Sequence, residues 1–460
     1  MSLLSLPSSP SYSASPAKSP SSTRSPSLWT SRVDHGDSGS ALTGARNSFP
    51  ISPGPSLSLS NDPRIQITDP DEGISFLGSV SLLFSSMTGP GLVTIPLLFQ
   101  QAGWLTPILA LLIGSILSSC ASLFTIQALT MIPGNSHFEA KLEFSSLLET
   151  FLGPKLRRLA HLWLYLSIQS TNLASIVISA QSMDHILLSL FSSSCAIDFT
   201  HGWVCIHPGP DLDKGENSPF GDRYLLASAG YLLSATIVLP LSLLNLVDNI
   251  KTQVISLISL IIIVIIWLIL FLLHGLHPQY MPPLGLDHSQ VLGTIIFNYV
   301  YMTTIPSWVN AKKPSVSIRK SIFLSTLIAT LVYVLIGCFG ALSYPMPLQS
   351  NILTIIGNGG HGAIIARITA FIFPIATIIT SIPVYTIVVR YNLVRGGICG
   401  PRMANVLAAV VPWAIAIPFQ TGPWFNHIVN WSSLLFAAVI NFSLPFALYL
   451  IGRRRQRKQE

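Results

Sequence analysis

The chain carries ten apolar segments of about 20 residues, and this repetition limits the fold more than any other feature. A segment of this length crosses a bilayer as an α-helix, because lipid offers no partners to an unpaired backbone. Only 9% of the 460 residues are charged, whereas soluble domains carry about 25%. We therefore predict an all-α polytopic membrane protein. Its spans, numbered 1 to 10 in chain order, are expected at about 74–99, 104–131, 159–190, 223–244, 252–273, 290–310, 320–343, 362–389, 403–420 and 429–451.

The distribution of Lys and Arg predicts the orientation. With both termini in the cytosol, the outer connections hold only Lys214 and Arg223, and the inner connections hold most of the other cations. This asymmetry is the one that the positive-inside rule describes. Because the cations lie between apolar segments, the net charge of +7 does not indicate a nucleic-acid partner. The predicted environment is a lipid bilayer.

Composition divides the chain into three parts. Residues 1–72 are rich in Ser and Pro and are predicted to form a disordered cytosolic tail. Its Ser-Pro pairs are candidate sites for kinases or other regulators, and a tether without a regulatory role is the alternative. Residues 73–452 form the predicted transmembrane domain, and residues 453–460 form a basic cytosolic C-terminal tail.

Two spans contain helix-breaking residues. Gly89-Pro90-Gly91 lies inside span 1, where Gly costs about 1 and Pro about 3 kcal/mol relative to Ala. In span 6, Pro306 follows a cluster of polar residues. Broken helices five spans apart are typical of transporters built from two inverted five-helix repeats, with a site at mid-membrane. A simple kink in span 1 and interhelical hydrogen bonds in span 6 are the alternatives.

Several motifs resemble the amino acid/auxin permease family. The first-span signature is Gly89-Pro90-Gly91-Leu92 with Pro96 and Gly103-Trp104. Leu239 to Leu244, Lys312 to Ser315 and Tyr333 to Gly340 resemble later motifs of the family in the same order. The resemblance covers nearly everything from about residue 73 and extends to vacuolar members of this family of transmembrane amino acid transporters, within the amino acid–polyamine–organocation superfamily. Many members have an eleventh span, and Pro90 is an unusual residue between the two glycines.

The resemblance implies a leucine-transporter-like fold and a secondary active amino acid transporter, not an enzyme. It implies that the span 1 break offers backbone N–H groups to the substrate carboxylate and carbonyls to its ammonium, and that span 6 closes around the side chain. The implied substrate-binding residues are Ser85, Ser86, Met87, Thr88, Gly89, Gly91, Asn298, Tyr299, Tyr301, Thr303 and Thr304. Neither break carries an acidic or basic side chain, so neutral amino acids are the expected substrates.

Two coupling ions are considered, with no other cofactor. For Na⁺, Thr377, Thr380 and Ser381 share one face of span 8 and would form an oxygen site with Ser85 and Thr88. Alternatively, these hydroxyls bond their own helix. We favour H⁺, because an acidic compartment is expected. Histidines gather in the outer connections and would become charged there, and ordinary loop histidines are the alternative. The outer histidines are His201, His207, His274, His277, His288, His361 and His427. No metal site is expected, since no tight ligand spacing occurs.

The remaining predictions concern the compartment. Cys195 and Cys205 share one outer connection, which faces an oxidising space, so a disulfide is expected. Family members of vacuolar or lysosomal membranes often carry long cytosolic tails, so such a membrane is predicted, with the plasma membrane as the alternative. The stretch from Glu143 to Leu148 matches a dileucine sorting pattern but lies where the family has a helix. The tail also leaves open an amino-acid sensor that signals to the cytosol.

Overall fold

The computed structural model describes residues 73–207, 218–221, 223, 226–347, 350–356, 363–421 and 424–458. The predicted N-terminal tail, Lys214 and His361 lie outside these ranges. In the first half of the chain the helices are α1 (Phe76–Met87), α2 (Ile95–Ala102), α3 (Leu105–Thr130), α4 (Phe144–Phe151), α5 (Pro154–Phe191), α6 (Ala229–Ser242) and α7 (Ile250–His274). In the second half they are α8 (Val291–Asn298), α9 (Ile305–Ala311), α10 (Ile318–Ser343), α11 (Ile352–Ile356), α12 (Ala363–Phe373), α13 (Ile379–Arg395), α14 (Pro401–Asn405), α15 (Val411–Ala416), α16 (Trp424–Ser432) and α17 (Leu444–Gln456).

Shorter helical turns connect some of these helices. Turns of 3-10 helix lie at Pro90–Thr94, Pro278–Tyr280, Met302–Thr304 and Ile417–Phe419. Within spans 8, 9 and 10 the helices pass through π-helical turns at Pro374–Ile378, Val406–Val410 and Ser433–Ser443. Such wide turns shift the register of a helix and often occur at functional positions.

Helices occupy all ten predicted spans, although not all are long. Among the described residues, seven helical segments are long and apolar enough to cross a membrane, and α1 with the segment that leads into α2 forms a bent eighth. Span 4 corresponds to the shorter helix α6, and span 6 to the pair α8 and α9. Span 4 was predicted to begin near residue 223, but α6 begins at Ala229 because the preceding residues form a β-strand.

Helix α7 shows why these helices lie in lipid. Ile255, Ile258, Ile262, Ile265 and Ile269 are more than half exposed, and their helical spacing places them on one side. The opposite side is buried against the protein through Leu257, Leu260, Val264, Trp267 and Phe271. Exposing this isoleucine stripe to water would cost about 25 cal/mol per Å² of apolar surface. The stripe fits the acyl chains of a bilayer.

Helix α10 is central to the packing. It contacts α1 and α2, the two halves of span 1, and also α3 and α7. Helix α5 packs against α6 and α13. The largest fully buried side chains include Trp267, Trp308, Tyr299, Tyr301 and Tyr333. The breaks in spans 1 and 6 thus lie inside the helical core.

The molecule has two distinct ends. A three-stranded antiparallel sheet, with strands β1 (Ser194–Asp198), β2 (Gly202–Ile206) and β3 (Leu226–Ser228) in the order β2-β1-β3, follows α5 and precedes α6. We call this end the sheet face. At the other end of α5, Arg455 of α17 donates to the Thr150 carbonyl of α4 at 2.6 Å. We call this end the C-terminal face. The sheet is the one departure from the all-α expectation in the described residues.

Two contacts fix the sheet. Cys195 and Cys205 face each other across β1 and β2 and are joined by a disulfide. The buried carboxylate of Asp184 in α5 accepts hydrogen bonds from the Ser194 hydroxyl at 2.9 Å, the Gly230 N–H at 2.8 Å and the Ser228 hydroxyl. Asp184 therefore attaches the sheet to α5 and to the start of α6.

A second carboxylate organises the turn after β1. Asp198 accepts from the Thr200 hydroxyl at 2.5 Å and the Thr200 N–H at 2.8 Å. His201 donates its N–H at 3.2 Å, and its ring lies 3.1 Å from the carboxylate. These hydrogen bonds, first those from Thr200, hold the pKa of the Asp198 carboxyl well below its usual value of 3.8. Arg223 lies 3.9 Å away.

The Asp198→Asn substitution should lower the thermal stability of the protein by a similar amount at pH 7 and pH 5. The folded-state pKa lies below the unfolded value, so the carboxylate contributes fully above the unfolded pKa and loses its contribution only as the pH falls through the folded pKa. Thermal unfolding in detergent at both pH values measures the effect. Asp287→Asn is the control, because Asp287 accepts a comparable 2.9 Å bond from the Ser289 N–H but lies in an exposed loop. A loss confined to pH 7 would contradict this account.

Candidate functional site

The first break separates α1 from α2. Helix α1 ends at Met87, where the Thr88 N–H still bonds the Phe84 carbonyl at 2.9 Å. Gly89 then turns the chain into the 3-10 turn Pro90–Thr94. The two halves differ in direction by 53°. The last carbonyls of α1 consequently lose their partners in the next helical turn and need other donors inside the membrane.

The second break separates α8 from α9. Helix α8 ends at Asn298, and a non-helical stretch leads through Tyr299 and Tyr301 to the 3-10 turn Met302–Thr304. Pro306 lies in the first turn of α9. The missing N–H of proline costs little there, because the first N–H groups of a helix have no intrahelical acceptor. Pro306 therefore starts the second half of span 6.

The two breaks meet at one tyrosine of α10. The Tyr333 hydroxyl lies 2.8 Å from the Met87 carbonyl of the first break and 3.1 Å from the Asn298 carbonyl of the second. Its ring meets Tyr299 edge to face, with centroids 5.8 Å apart. Tyr333 is fully buried. A single hydroxyl thus serves a freed carbonyl on each broken helix.

A second tyrosine, in span 8, forms a hydrogen bond with the first break. The Tyr385 hydroxyl of α13 donates to the Ser86 carbonyl at 2.8 Å. On the other side, the hydroxyls of Tyr299 and Tyr301 pair with α10, with Thr330 at 2.6 Å and Thr326 at 3.1 Å. Two tyrosine hydroxyls therefore bond carbonyls of the breaks, and the hydroxyls of Tyr299 and Tyr301 attach the second break to α10.

The two breaks also touch directly. A Cβ atom added to Gly91 would overlap the side-chain amide of Asn298. The Asn298 amide donates to the Thr294 carbonyl at 2.8 Å. Glycine at position 91 is therefore required for the close approach of the two broken spans. At Gly89 an added Cβ would meet only the Tyr385 hydroxyl, at 3.8 Å.

Three buried polar atoms at the breaks have no hydrogen-bond partner among the described residues. They are the hydroxyls of Ser85 and Thr304 and the side-chain carbonyl oxygen of Asn298. Leaving a buried polar group unpaired costs about 1–3 kcal/mol. Such groups point to a site that a polar ligand completes.

Every predicted substrate-binding residue with a described position lies in this buried region. Ser85, Ser86, Met87, Thr88, Asn298, Tyr299, Tyr301, Thr303 and Thr304 are all at most 4% exposed. The hydroxyls of Ser86 and Thr88 bond carbonyls of their own helix, at 2.8 and 2.9 Å. Ser86 and Thr88 therefore have only backbone groups to offer to a ligand at the break.

A crevice adjoins the two breaks toward the sheet face. It lies between α2, α8 and α16 and is lined by Thr94, Leu97, Leu98, Gln101, Gln290, Thr294 and Val429. Gln290 precedes α8 and Gln101 lies near the end of α2. The crevice leads from these glutamines toward Thr294, whose carbonyl accepts from Asn298.

The hydroxyls of the proposed Na⁺ site that the structure describes have hydrogen-bond partners within the protein. The Thr380 hydroxyl donates to the Ser256 hydroxyl of α7 at 3.1 Å and to the Ala376 carbonyl at 2.9 Å. The Thr88 hydroxyl bonds within α1. The side chain of Thr377 is outside the described part of the chain, and Ser381 is buried. Span 8 instead reaches the first break through Tyr385.

The histidines of the sheet face are dispersed. His274 stacks on Tyr344 with centroids 4.2 Å apart, and His201 lies against Asp198. Within the described ranges, no group of three or more His, Cys, Asp or Glu side chains could hold a metal ion.

Comparison with known proteins identifies the family. The family model described as transmembrane amino acid transporter protein matches residues 72–458. The chain belongs to this family. No curated protein sequence matches the transporter.

The fold is also found among solved structures. The transporter is similar to Mhp1, a nucleobase-cation-symport-1 family transporter solved in a closed conformation with bromovinylhydantoin bound, with a TM-score of 0.55 and 14% sequence identity. The likeness covers 80% of this chain and 78% of that chain. The expected leucine-transporter-like fold is confirmed. The transporter is thus an integral membrane protein that transports amino acids, and it is not an enzyme.

Sequence reasoning assigned no role to Tyr333 and Tyr385. Tyr333 is part of a family-like motif, but its partners Met87 and Asn298 come from other spans. A buried tyrosine in a membrane helix needs a hydrogen-bond partner, and this need was the one signal that could have singled them out.

Tyr333→Phe should lower substrate affinity and transport by about 5- to 100-fold, the range for about 1–3 kcal/mol of lost hydrogen bonding to buried groups. The substitution leaves the Met87 and Asn298 carbonyls without this donor. Binding and uptake by the purified protein measure the loss. Tyr231→Phe is the control, because Tyr231 also donates to a buried carbonyl, that of Trp413 at 2.7 Å, but lies away from the breaks. Equal losses in both variants would argue against a special role for Tyr333.

Gly91→Ala should abolish transport, whereas Gly89→Ala should keep most of it. The added methyl group displaces Asn298 in the first variant and makes only an ordinary van der Waals contact with the Tyr385 hydroxyl in the second. Uptake normalised to the amount of folded protein compares the two. Equal activity of both variants would show that the contact between the breaks is dispensable.

Proposed function

We propose that the transporter moves neutral amino acids together with H⁺, by alternating access around the site where the two broken spans meet. One observation carries this proposal. Carbonyls from both breaks converge on the Tyr333 hydroxyl, in a region that contains no charged side chain among the described residues.

The charges that are buried lie elsewhere. Within the described ranges the buried Asp and Glu side chains are Glu143, Asp184 and Asp198, and these lie at the two ends of the molecule. A cationic or anionic substrate side chain would need an opposite charge beside it in lipid. A site lined by amide, hydroxyl and aromatic groups supports a neutral side chain instead.

The backbone of the first break offers partners to both charged groups of an amino acid. Carbonyls at the C-terminal end of α1 are a partner for the substrate ammonium, and N–H groups at the start of the turn Pro90–Thr94 are a partner for its carboxylate. The unpaired oxygens of Ser85, Asn298 and Thr304 would complete the polar contacts. Tyr299 and Tyr301 would border the substrate side chain.

The acidic compartment expected on the sheet face favours H⁺ over Na⁺ as the coupling ion. On the side of α1 that faces span 8, the Tyr385 hydroxyl donates to the Ser86 carbonyl, and the Thr380 hydroxyl bonds the Ser256 hydroxyl. Because a donating hydroxyl and a carbonyl both keep lone pairs, Na⁺ stays the alternative coupling ion.

The orientation and the membrane are also proposals. Lys155, Arg395 and Arg455 lie on the C-terminal face, which we assign to the cytosol by the positive-inside rule. The sheet face, with its disulfide, would then face an oxidising lumen. Together with the Ser/Pro tail, this supports a vacuolar or lysosomal membrane, with the plasma membrane as the alternative.

Leu147 and Leu148 are fully buried, so the dileucine pattern offers no sorting signal in the folded protein.

Uptake by the purified transporter in liposomes tests the function. We expect neutral amino acids to accumulate in response to an imposed pH gradient without Na⁺, and excess neutral amino acids to compete for uptake at least about tenfold better than lysine, arginine or glutamate. Strict Na⁺ dependence, or competition by charged amino acids alone, would contradict the proposal. Binding without uptake would favour an amino-acid sensor that signals through the N-terminal tail.

A further inference from the structure

Glu143 is a fully buried carboxylate that the transport site does not use. It precedes α4 on the C-terminal face, outside the predicted spans, and its side chain has 0% exposure. Its backbone carbonyl accepts the Ser146 N–H at 3.1 Å at the start of α4. A buried charge of this kind is retained only where partners compensate its loss of hydration.

Its partners belong to the inner halves of two spans. The Ser307 hydroxyl of α9 donates to one carboxylate oxygen at 2.6 Å. Arg395, at the end of α13, donates to the other oxygen at 2.5 Å. The Asn310 amide of α9 bonds the Leu142 carbonyl at 2.8 Å and reaches the carboxylate at 3.4 Å. Glu143 therefore joins α4, α9 and α13 at one point.

Helix α9 is also tied to the start of span 1. The Ile74 N–H, just before α1, bonds the Ala311 carbonyl at 2.9 Å, and the Lys313 N–H bonds the Ile74 carbonyl at 3.0 Å. The inner halves of both broken spans are thus linked on the C-terminal face. Glu143 also links α9 to α13 on this face, so its contacts oppose any movement of α9 away from α13.

The surroundings of the carboxylate contain few groups that titrate. Arg395 is its charged partner and stacks on the Tyr391 ring, with the guanidinium carbon 4.4 Å from the ring centroid. Ser307 and Asn310 of α9 do not titrate. On α5, His161 hydrogen-bonds the backbone of Ser145, and Lys141 precedes Glu143 in the same connection. Burial raises the pKa of the Glu143 carboxyl above its usual value of 4.5, and Arg395, Ser307 and Asn310 act in the opposite direction.

We propose that Glu143 binds and releases the coupling proton and thereby unlocks the cytosolic entrance. The ionised carboxylate accepts from Arg395 and Ser307 and holds α9 against α13. A proton added to a carboxylate oxygen removes the charge and one acceptor position, so α9 is released and the entrance opens. Opening exposes the carboxyl to water, where its ordinary acidity returns the proton to the cytosol.

This inference rests on the proposed H⁺ coupling, and Glu143→Gln tests it. The variant mimics the protonated side chain, so exchange of labelled for unlabelled substrate at equal pH should continue and should no longer depend on pH. Substrate-driven proton entry, followed with pyranine inside the vesicles, should fall by about tenfold or more. Glu149→Gln is the matched control, because Glu149 lies in α4, the helix that starts directly after Glu143, and pairs with Arg157 at 3.2 Å but is exposed. It should behave like the wild type in both assays.

The outcomes separate the two proposals. If the wild type is driven by the pH gradient and Glu143→Gln retains proton-coupled uptake, the role of Glu143 is refuted and H⁺ coupling stands. If the wild type depends on Na⁺, both fall. A parallel loss of exchange and proton flux in Glu143→Gln would show a structural role alone and would also refute the inference.

Ser307→Ala provides a test that does not depend on the folding of the Glu143 variant. It removes a hydrogen bond to the ionised carboxylate and keeps the charge, so the pKa of the Glu143 carboxyl should rise. The midpoint of the pH profile of exchange should move upward by about one unit. An unchanged midpoint in a folded, active Ser307→Ala protein would overturn the proposal.

Discussion

Backbone groups that leave a helix inside a bilayer must find partners within the protein, and this constraint governs the centre of the transporter. Spans 1 and 6 are each broken within the span, and each break frees carbonyl oxygens in a region without bulk water. The Tyr333 hydroxyl shares its one hydrogen between the Met87 and Asn298 carbonyls, and the Tyr385 hydroxyl donates to the Ser86 carbonyl. Because one hydroxyl serves both breaks, their positions depend on each other. A ligand that competes for these carbonyls would act on both broken spans together.

Polarity is divided between the centre and the ends. The centre is buried, aromatic and neutral, and its polar groups are hydroxyls, amides and backbone atoms. Carboxylates occur where the helices leave the membrane. Asp184 and Asp198 fix the sheet face, and Glu143 joins three helices on the C-terminal face. Charges at the ends cost less hydration than charges at mid-depth, and they are positioned to connect elements that close the two sides.

The likeness to Mhp1 shows how far a fold persists when its sequence changes. At 14% identity most side chains differ, yet the likeness extends over 80% of this chain. Helices of membrane-spanning length, broken spans and their packing order can be kept by many apolar sequences. Particular contacts, such as those of Tyr333 with the two breaks, carry the argument about the substrate.

The sequence by itself determined the membrane class, the approximate spans and the positions of the two breaks. These follow from local chemistry: runs of apolar residues must become helices in lipid, and Gly89, Pro90, Gly91 and Pro306 disrupt them. The same local signals place Asn298 and its neighbours beside a break. The family resemblance added amino acid transport, which the family model supports.

Only the tertiary structure decided which groups meet. Tyr333 lies 246 residues from Met87 and 35 from Asn298, and no local pattern encodes such contacts. Glu143 lies in a connection that sequence reasoning treated as a possible sorting pattern, yet packing buries it against α9 and α13. Likewise, shared spacing on span 8 suggests an ion site, and only the packing shows that the Thr380 hydroxyl bonds Ser256 of α7. Helical periodicity fixes which side chains share a face, whereas the neighbour that the face meets depends on how all the helices pack together.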